Sequence, residues 1–110
     1  MMKHAVIAGL LILGLTKLAL AGKIYGSLTT AGKPVEQGVK VEITCGGKTY
    51  AAQTDTYGSF KLYVPDKGKC ALKVSYQGQS PSFEITSYEG SVQYDLILEK
   101  TGAQYTLRRK

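Results

Sequence analysis

The sequence lacks the residues on which many enzyme active sites depend. Its single histidine is His4, both methionines are at the start of the chain, and neither tryptophan nor asparagine occurs among its 110 residues. After residue 21 there is therefore no imidazole for a Ser-His-Asp or Cys-His system, or for a typical zinc site. The missing asparagine excludes N-linked glycosylation. We expect a non-enzymatic protein with no catalytic residues, no cofactor and no metal.

The first 21 residues have the pattern of a secretory signal peptide. A short basic start, residues 1–4, precedes an uncharged apolar run, residues 5–15, and the small residues Ala19 and Ala21. The apolar run is short for a bilayer span, and Lys17 interrupts any longer one. We expect cleavage after Ala21 and a secreted or periplasmic protein. The alternative is an uncleaved anchor, which would be the protein's only contact with a membrane.

From residue 22 onward, apolar and polar residues alternate with the period of a β-strand, and no segment has helical periodicity. About seven such stretches are separated by turns rich in glycine, proline and aspartate. This pattern predicts an all-β, antiparallel, two-sheet sandwich over residues 22–100. Residues 101–110 are expected to be a loosely attached basic tail or an extra edge strand.

The turn sequence of one hairpin is specific enough to predict the register of its two strands. Gly46 and Gly47 form a two-residue turn between alternating stretches. Opposite residues of a hairpin share a face, so Tyr50 is expected opposite Ile43, with Ala52 opposite Val41.

Cys45 and Cys70 are the only cysteines of the chain. In an exported protein of this size an even pair first indicates a disulfide, and both residues fall on the inward phase of their strands. Closing a loop of about 25 residues is worth about 3 kcal/mol in the chain-entropy model. The alternative is two free thiols or half a metal site, but neither cysteine has a neighbour at metal-ligand spacing.

Three segments occur in an order that resembles a known family. They are residues 32–41 (GKPVEQGVKV), residues 54–60 (TDTYGSF) and residues 68–74 (GKCALKV). Together they resemble the carboxypeptidase regulatory-like domains, which share a transthyretin-like (prealbumin-like) sandwich of immunoglobulin-like appearance. The chain departs from that pattern at Cys70, where the family usually has an aromatic residue.

The resemblance implies an accessory or secreted interaction module. It also points to one enzymatic group, the transthyretin-like hydrolases of purine breakdown, which use histidines, an arginine and a C-terminal tetrapeptide beginning Tyr-Arg. This chain has no histidine after His4, its only arginines are Arg108 and Arg109, and that tetrapeptide is absent. The resemblance therefore does not extend to the hydrolase activity.

The second segment is interpreted as a structural turn formed by Thr54, Asp55, Gly58 and Phe60. The Asp55 carboxylate is expected to accept hydrogen bonds from the backbone N–H groups that follow it, and Gly58 supplies a positive φ. A calcium loop needs several oxygen ligands, and no second carboxylate is nearby.

The expected partner is an exported protein or a polysaccharide, and nucleic acid is excluded by export. Without Lys3 and Lys17, 12 of the 14 basic residues remain against 8 acidic ones, a net charge of +4. Tyr25, Tyr57 and Tyr63 are the candidate binding surface, because tyrosines on outward strand positions or in turns can stack on sugars or anchor a protein. The one basic cluster is a candidate contact with an anionic surface or else a solvated end: Arg108, Arg109 and Lys110.

Two functions of different classes remain open from the sequence. The first is a non-catalytic binding module, which a contiguous patch containing Tyr25 and Tyr63 would favour. The second is a structural or assembly subunit that acts through sheet edges, which an edge strand without lysine, proline or a bulge would favour.

Overall fold

The computed structural model describes residues 22–110, and these form two packed β-sheets without any helix. The predicted signal peptide, residues 1–21, lies outside the described residues. The strands are β1 Gly22–Thr30, β2 Lys33–Pro34, β3 Lys40–Cys45, β4 Lys48–Gln53, β5 Ser59–Val64, β6 Gly68–Ser75, β7 Ser82–Ser87, β8 Val92–Thr101 and β9 Gln104–Arg109. The predicted all-β sandwich is therefore confirmed.

Within each sheet the spatial order of the strands differs from their order in the sequence. Sheet A has the order β5-β1-β8-β9, with the short β2 beside the end of β1, and sheet B has the order β4-β3-β6-β7. All pairs are antiparallel except β1 with β8, which is parallel. This corrects the expectation of a purely antiparallel sandwich, because alternation along a strand shows which face is buried and not the direction of a distant neighbour.

Two strands were not counted in the expected seven. The two-residue β2 pairs with the end of β1, and β9 folds back on β8 around a turn at Gly102. Of the two forms expected for residues 101–110, most of the segment takes the strand form, because Leu107 packs into the core opposite Leu98. Sheet A thus extends to Arg109.

The core lies between the inward faces of the two sheets. Its fully buried side chains are aliphatic, apart from Ser87: Ile24, Leu28, Val35, Val41, Ile43, Val64, Leu72, Val74, Ile85, Leu96 and Leu98. Tyr94 also connects the sheets through its hydroxyl, which accepts a hydrogen bond from the Thr86 N–H at 2.8 Å and donates one to the Thr86 carbonyl at 3.2 Å. The side chains on the outward faces of the two sheets therefore take no part in the core.

The hairpin between β3 and β4 has the predicted register. Tyr50 lies opposite Ile43 and Ala52 opposite Val41. Gly46 and Gly47 both have positive φ, 54° and 88°, as a two-residue turn of this kind requires.

The predicted disulfide between Cys45 and Cys70 is also confirmed. It joins neighbouring strands of one sheet, since the register that pairs Thr44 with Ala71 places the two cysteines directly opposite each other. Their Cα atoms are 4.6 Å apart, the spacing of a pair that exchanges no backbone hydrogen bonds. The disulfide is buried and links β3 covalently to β6.

Candidate functional site

The outward face of sheet A brings together two of the three predicted tyrosines. Tyr25 on β1 lies opposite Lys61 on β5, and Lys23 lies opposite Tyr63 two positions away. The two aromatic rings and the two ammonium groups therefore alternate across adjacent strands. This is the contiguous patch of Tyr25 and Tyr63 that favours a binding module.

An open groove of about 670 Å³ runs over this face beside Tyr25. Its floor comes from β1, β5 and β8, and its rim comes from the end of β4 and the turn that follows. The side chains that carry its chemistry are Lys23, Tyr25, Ser27, Gln53, Asp55, Ser59, Lys61, Gln93 and Asp95. Tyr63 lies outside the groove.

Asp95 is held in a fixed orientation in this groove. Ser27 Oγ donates a hydrogen bond to Asp95 Oδ1 at 3.0 Å, and Gln93 Nε2 donates one to Asp95 Oδ2 at 2.9 Å. Each carboxylate oxygen keeps a second lone pair for an external donor. Gln93 lies beside Tyr25 in the parallel pairing of β1 with β8, so the carboxylate, the amide and the ring form one surface.

Lys23 and Lys61 are the two lysines of the groove. Within residues 22–110, neither Lys23 nor Lys61 forms an ion pair. Lys23 Nζ lies 5.1 Å from the centre of the Tyr25 ring, a cation–π contact that positions the ammonium group over the ring. Two positive charges therefore face solvent beside the aromatic ring.

The outward face of sheet B shows the opposite arrangement. Glu42 lies between Lys40 and Lys73, at 3.4 and 3.5 Å, and Lys69 lies 3.6 Å from Glu84. The hydrogen bond from Lys40, together with the charges of Lys40 and Lys73, holds the pKa of the Glu42 carboxyl below its usual range against the opposing effect of burial. The charges on the outward face of sheet B are thus matched among themselves, unlike the lysines of the groove.

The segment of Thr54, Asp55, Gly58 and Phe60 forms a tight turn at the rim of the groove. Asp55 Oδ1 accepts hydrogen bonds from the backbone N–H groups of Tyr57 and Ser59, each at 2.9 Å. Gly58 has a φ of 74°, and a Cβ atom there would lie 2.8 Å from the Leu28 carbonyl oxygen. Phe60 is buried in the core. The turn positions Asp55 at the rim of the groove.

The remaining tyrosines are more widely spread. Tyr57 is 77% exposed in the turn next to Asp55, and Tyr63 is 54% exposed at the other end of β5. Tyr88, also 54% exposed, was missed by the sequence reasoning because it lies in the loop between β7 and β8, where no alternation assigns a face. Its backbone contacts Gly22 at the start of β1.

The basic cluster at the end of β9 does not form one free patch. Arg108 Nε lies 2.9 Å from Glu99 Oε2. Arg109 points the other way, with its guanidinium group 4.5 Å from the Tyr94 ring centre and Nη2 donating to the Gln93 carbonyl at 2.9 Å. The backbone N–H of Lys110 donates to the Asp95 carbonyl. Both arginines are thus engaged within the fold.

The described residues contain no cluster of three or more histidine, cysteine, aspartate or glutamate side chains arranged to hold a metal ion. In the same part of the chain, no helix has the length and apolar character needed to cross a membrane.

No protein-family model and no curated protein matches the sequence. Solved structures do match. The Bacillus anthracis TIE protein aligns at 16% identity and a TM-score of 0.59, over 74% of this chain and 17% of that one. A 5-hydroxyisourate hydrolase from Klebsiella pneumoniae aligns at 14% identity and a TM-score of 0.61, over 81% of this chain and 98% of that one.

A candidate carbohydrate-binding protein from Bacteroides uniformis also aligns, at 16% identity and a TM-score of 0.52, over 81% of this chain and 53% of that one. Likeness at these identities establishes the fold alone. The described chain is a transthyretin-like β-sandwich, as its resemblance to that group implies.

Proposed function

We propose that this domain is a non-catalytic module that binds an acidic polysaccharide in the groove of sheet A. The observation that carries the proposal is the position of Tyr25, which lies among the unpaired lysines Lys23 and Lys61 and the polar side chains of Gln93 and Asp95.

The groove has the groups that a sugar ring requires. Sugars present apolar C–H faces that pack on aromatic rings, and hydroxyl groups that exchange hydrogen bonds with carboxylates and amides. Tyr25 supplies the ring, and Asp95 and Gln93 supply acceptors and donors beside it. Because the groove is open to solvent, an internal segment of a long chain can enter it without a chain end being required.

The unpaired lysines favour an acidic ligand. An ammonium group without a partner gains from a carboxylate or sulfate on the ligand, whereas the paired lysines of sheet B already have that interaction. A polysaccharide at the cell surface would be accessible to this protein if it is exported, as residues 1–21 predict. The likeness to the candidate carbohydrate-binding protein of Bacteroides uniformis is consistent with this ligand class.

The absence of catalysis in this proposal rests on the groups that line the groove. The structure brings two carboxylates, Asp55 and Asp95, to the same groove, which the sequence did not indicate. A glycosidase needs one carboxyl group that donates a proton to the leaving oxygen. Each of these groups accepts two hydrogen bonds from the fold, an arrangement that supports a binding role for them rather than that of the acid.

Titration calorimetry of the purified protein with polygalacturonate and with a neutral β-glucan tests the proposal. We expect binding to the acidic polymer that weakens about tenfold in Tyr25→Ala and is largely retained in Tyr25→Phe, which keeps the ring. Lys61→Ala is expected to weaken binding and reduce its salt dependence. Lys69→Ala, which removes one lysine from the outward face of sheet B, is the matched control and should bind as the wild type does.

Three results would contradict the proposal. They are equal loss in Lys61→Ala and Lys69→Ala, unchanged binding in Tyr25→Ala, and recognition of an exported protein with no affinity for either polysaccharide. Release of reducing sugar from the polymer by the wild-type protein would contradict the non-catalytic part.

A further inference from the structure

Sheet B ends in a strand with little protection against pairing with another strand. Apart from the two-residue β2, the edge strands of the two sheets are β5, β9, β4 and β7. Three of them carry a charge beyond their first residue, Lys61 in β5, Glu84 in β7 and Arg108 in β9. In β4 the only charge is Lys48 at its start, and the sequence TYAAQ follows without proline. Charges and proline are what native edges use to block pairing, so β4 is the most open edge.

The hydrogen-bond pattern of the β3–β4 hairpin shows which backbone groups are unpaired. The two-residue turn makes Cys45 and Lys48 a hydrogen-bonded pair, and pairs of this type recur at every second position. This alternation of hydrogen-bonded pairs continues just beyond the end of β4, where the Thr54 N–H donates to the Val39 carbonyl at 2.9 Å. The N–H and C=O groups that point away from β3 therefore belong to Thr49, Ala51 and Gln53.

These three residues are held in an extended, accessible row. Their side chains are all exposed on the outward face of sheet B. The row is anchored at one end by the turn beside the disulfide of Cys45, and at the other by Thr54, which is 3% exposed and hydrogen-bonded on both sides. A strand that arrives at this edge meets backbone groups that are already ordered, which reduces the entropy lost on pairing.

We propose that two copies of this chain pair antiparallel through β4, centred on Ala51. In this register Ala51 lies opposite Ala51 of the partner subunit, and Thr49 lies opposite Gln53 of the partner subunit. The outward backbone groups of the two strands then form about six hydrogen bonds, and the two B sheets become one continuous sheet. The proposal does not rest on the polysaccharide site on sheet A, although Gln53 lies both in this row and at the rim of that groove.

Self-complementarity is what selects a second copy as the partner. No like charges face each other in the β4 pairing, and the two alanines allow close approach at its centre. A pairing of two β5 strands centred on Lys61 would place that residue opposite itself, and a pairing of two β7 strands centred on Glu84 would do the same there. Like charges directly opposite one another destabilise such pairs.

Sedimentation equilibrium of the purified protein is expected to show a monomer–dimer equilibrium. Ala51→Lys and Ala51→Glu, each alone, oppose like charges at the centre and should weaken the dimer about tenfold or more. An equimolar mixture of the two variants should restore it, which also shows that both variants are folded. Ser82→Lys makes a similar change at the exposed edge of β7 and should leave the dimer unchanged.

Amide hydrogen exchange provides a second, residue-specific measurement. Protection of the Thr49, Ala51 and Gln53 amides should rise with protein concentration, while Tyr50 and Ala52 stay protected throughout because they bond to β3. A protein that remains monomeric at every concentration overturns the proposal, including one whose β4 edge pairs only with a different protein. A dimer that Ala51→Lys leaves intact, or in which those three amides exchange rapidly, also overturns it.

Discussion

At the scale of single residues, two buried hydroxyl groups differ in what they contribute. Thr54 Oγ1 accepts a hydrogen bond from the Val39 N–H at 3.0 Å and donates one to the Glu36 carbonyl at 2.8 Å. It thereby fixes the approach to β3 against the end of β4. Ser87 Oγ, at the end of β7, is equally buried but has no hydrogen-bond partner among the described residues.

Thr54→Val is therefore expected to destabilise the domain, whereas Ser87→Ala is not. Thr54→Val keeps the shape of the side chain but leaves the buried N–H of Val39 without its partner and removes the hydrogen bond to the Glu36 carbonyl, which should destabilise by about 1–3 kcal/mol. Ser87→Ala removes a hydroxyl that is desolvated without compensation, so its effect should be neutral or slightly stabilising. Urea denaturation of the two variants measures the difference, and equal destabilisation would contradict this account of Thr54.

At the scale of elements, the disulfide acts within one sheet. Because β3 and β6 already pair over five residues, the covalent bond adds little to their geometry in the folded state. Its effect is expected mainly in the unfolded chain, where it closes a loop with a sequence separation of 25 residues.

Replacing Cys45 and Cys70 together by alanine is expected to lower the free energy of unfolding by about 3 kcal/mol and leave the fold unchanged. Thermal unfolding followed by circular dichroism gives the stability, and the far-ultraviolet spectrum of the variant reports the fold. The wild-type protein in reducing agent, after the bond has opened in denaturant, is the control and should match the variant. An unchanged melting temperature would show that the bond does not stabilise the domain.

At the scale of the whole molecule, the two outward faces of the sandwich differ in how their charges are paired. The face of sheet B matches its charges internally, whereas the face of sheet A keeps two lysines unpaired beside an aromatic ring. The proposed ligand and the proposed second copy use surfaces that meet at Gln53. Their tests change different residues, Tyr25 and Lys61 for the ligand and Ala51 for the second copy.

The exported protein is expected to begin at Gly22. Residues 1–21 have the basic, apolar and small segments that a signal peptidase recognises. Mass spectrometry of the intact protein recovered after export measures the boundary. Ala21→Pro, which disrupts the recognised site, should give a heavier, membrane-associated product. A wild-type protein that keeps Lys17 and stays in the membrane fraction would favour the anchor instead.

Local features of this chain were predictable because their causes lie within a few residues. The β3–β4 register follows from Gly46 and Gly47 together with the alternation on either side of them. The disulfide follows from two inward-facing cysteines with no competing partner. In the same way, the all-β architecture follows from period-two alternation, which is a property of each strand by itself.

The arrangement of distant strands was decided only by the tertiary structure. Ser27 and Asp95 are 68 positions apart, and they meet because β1 and β8 pair in parallel, a direction that alternation does not encode. That pairing brings Gln93 and Asp95 beside Tyr25 and so creates the groove. The sequence by itself determined which side chains face outward, whereas long-range packing of the core decided which of them became neighbours.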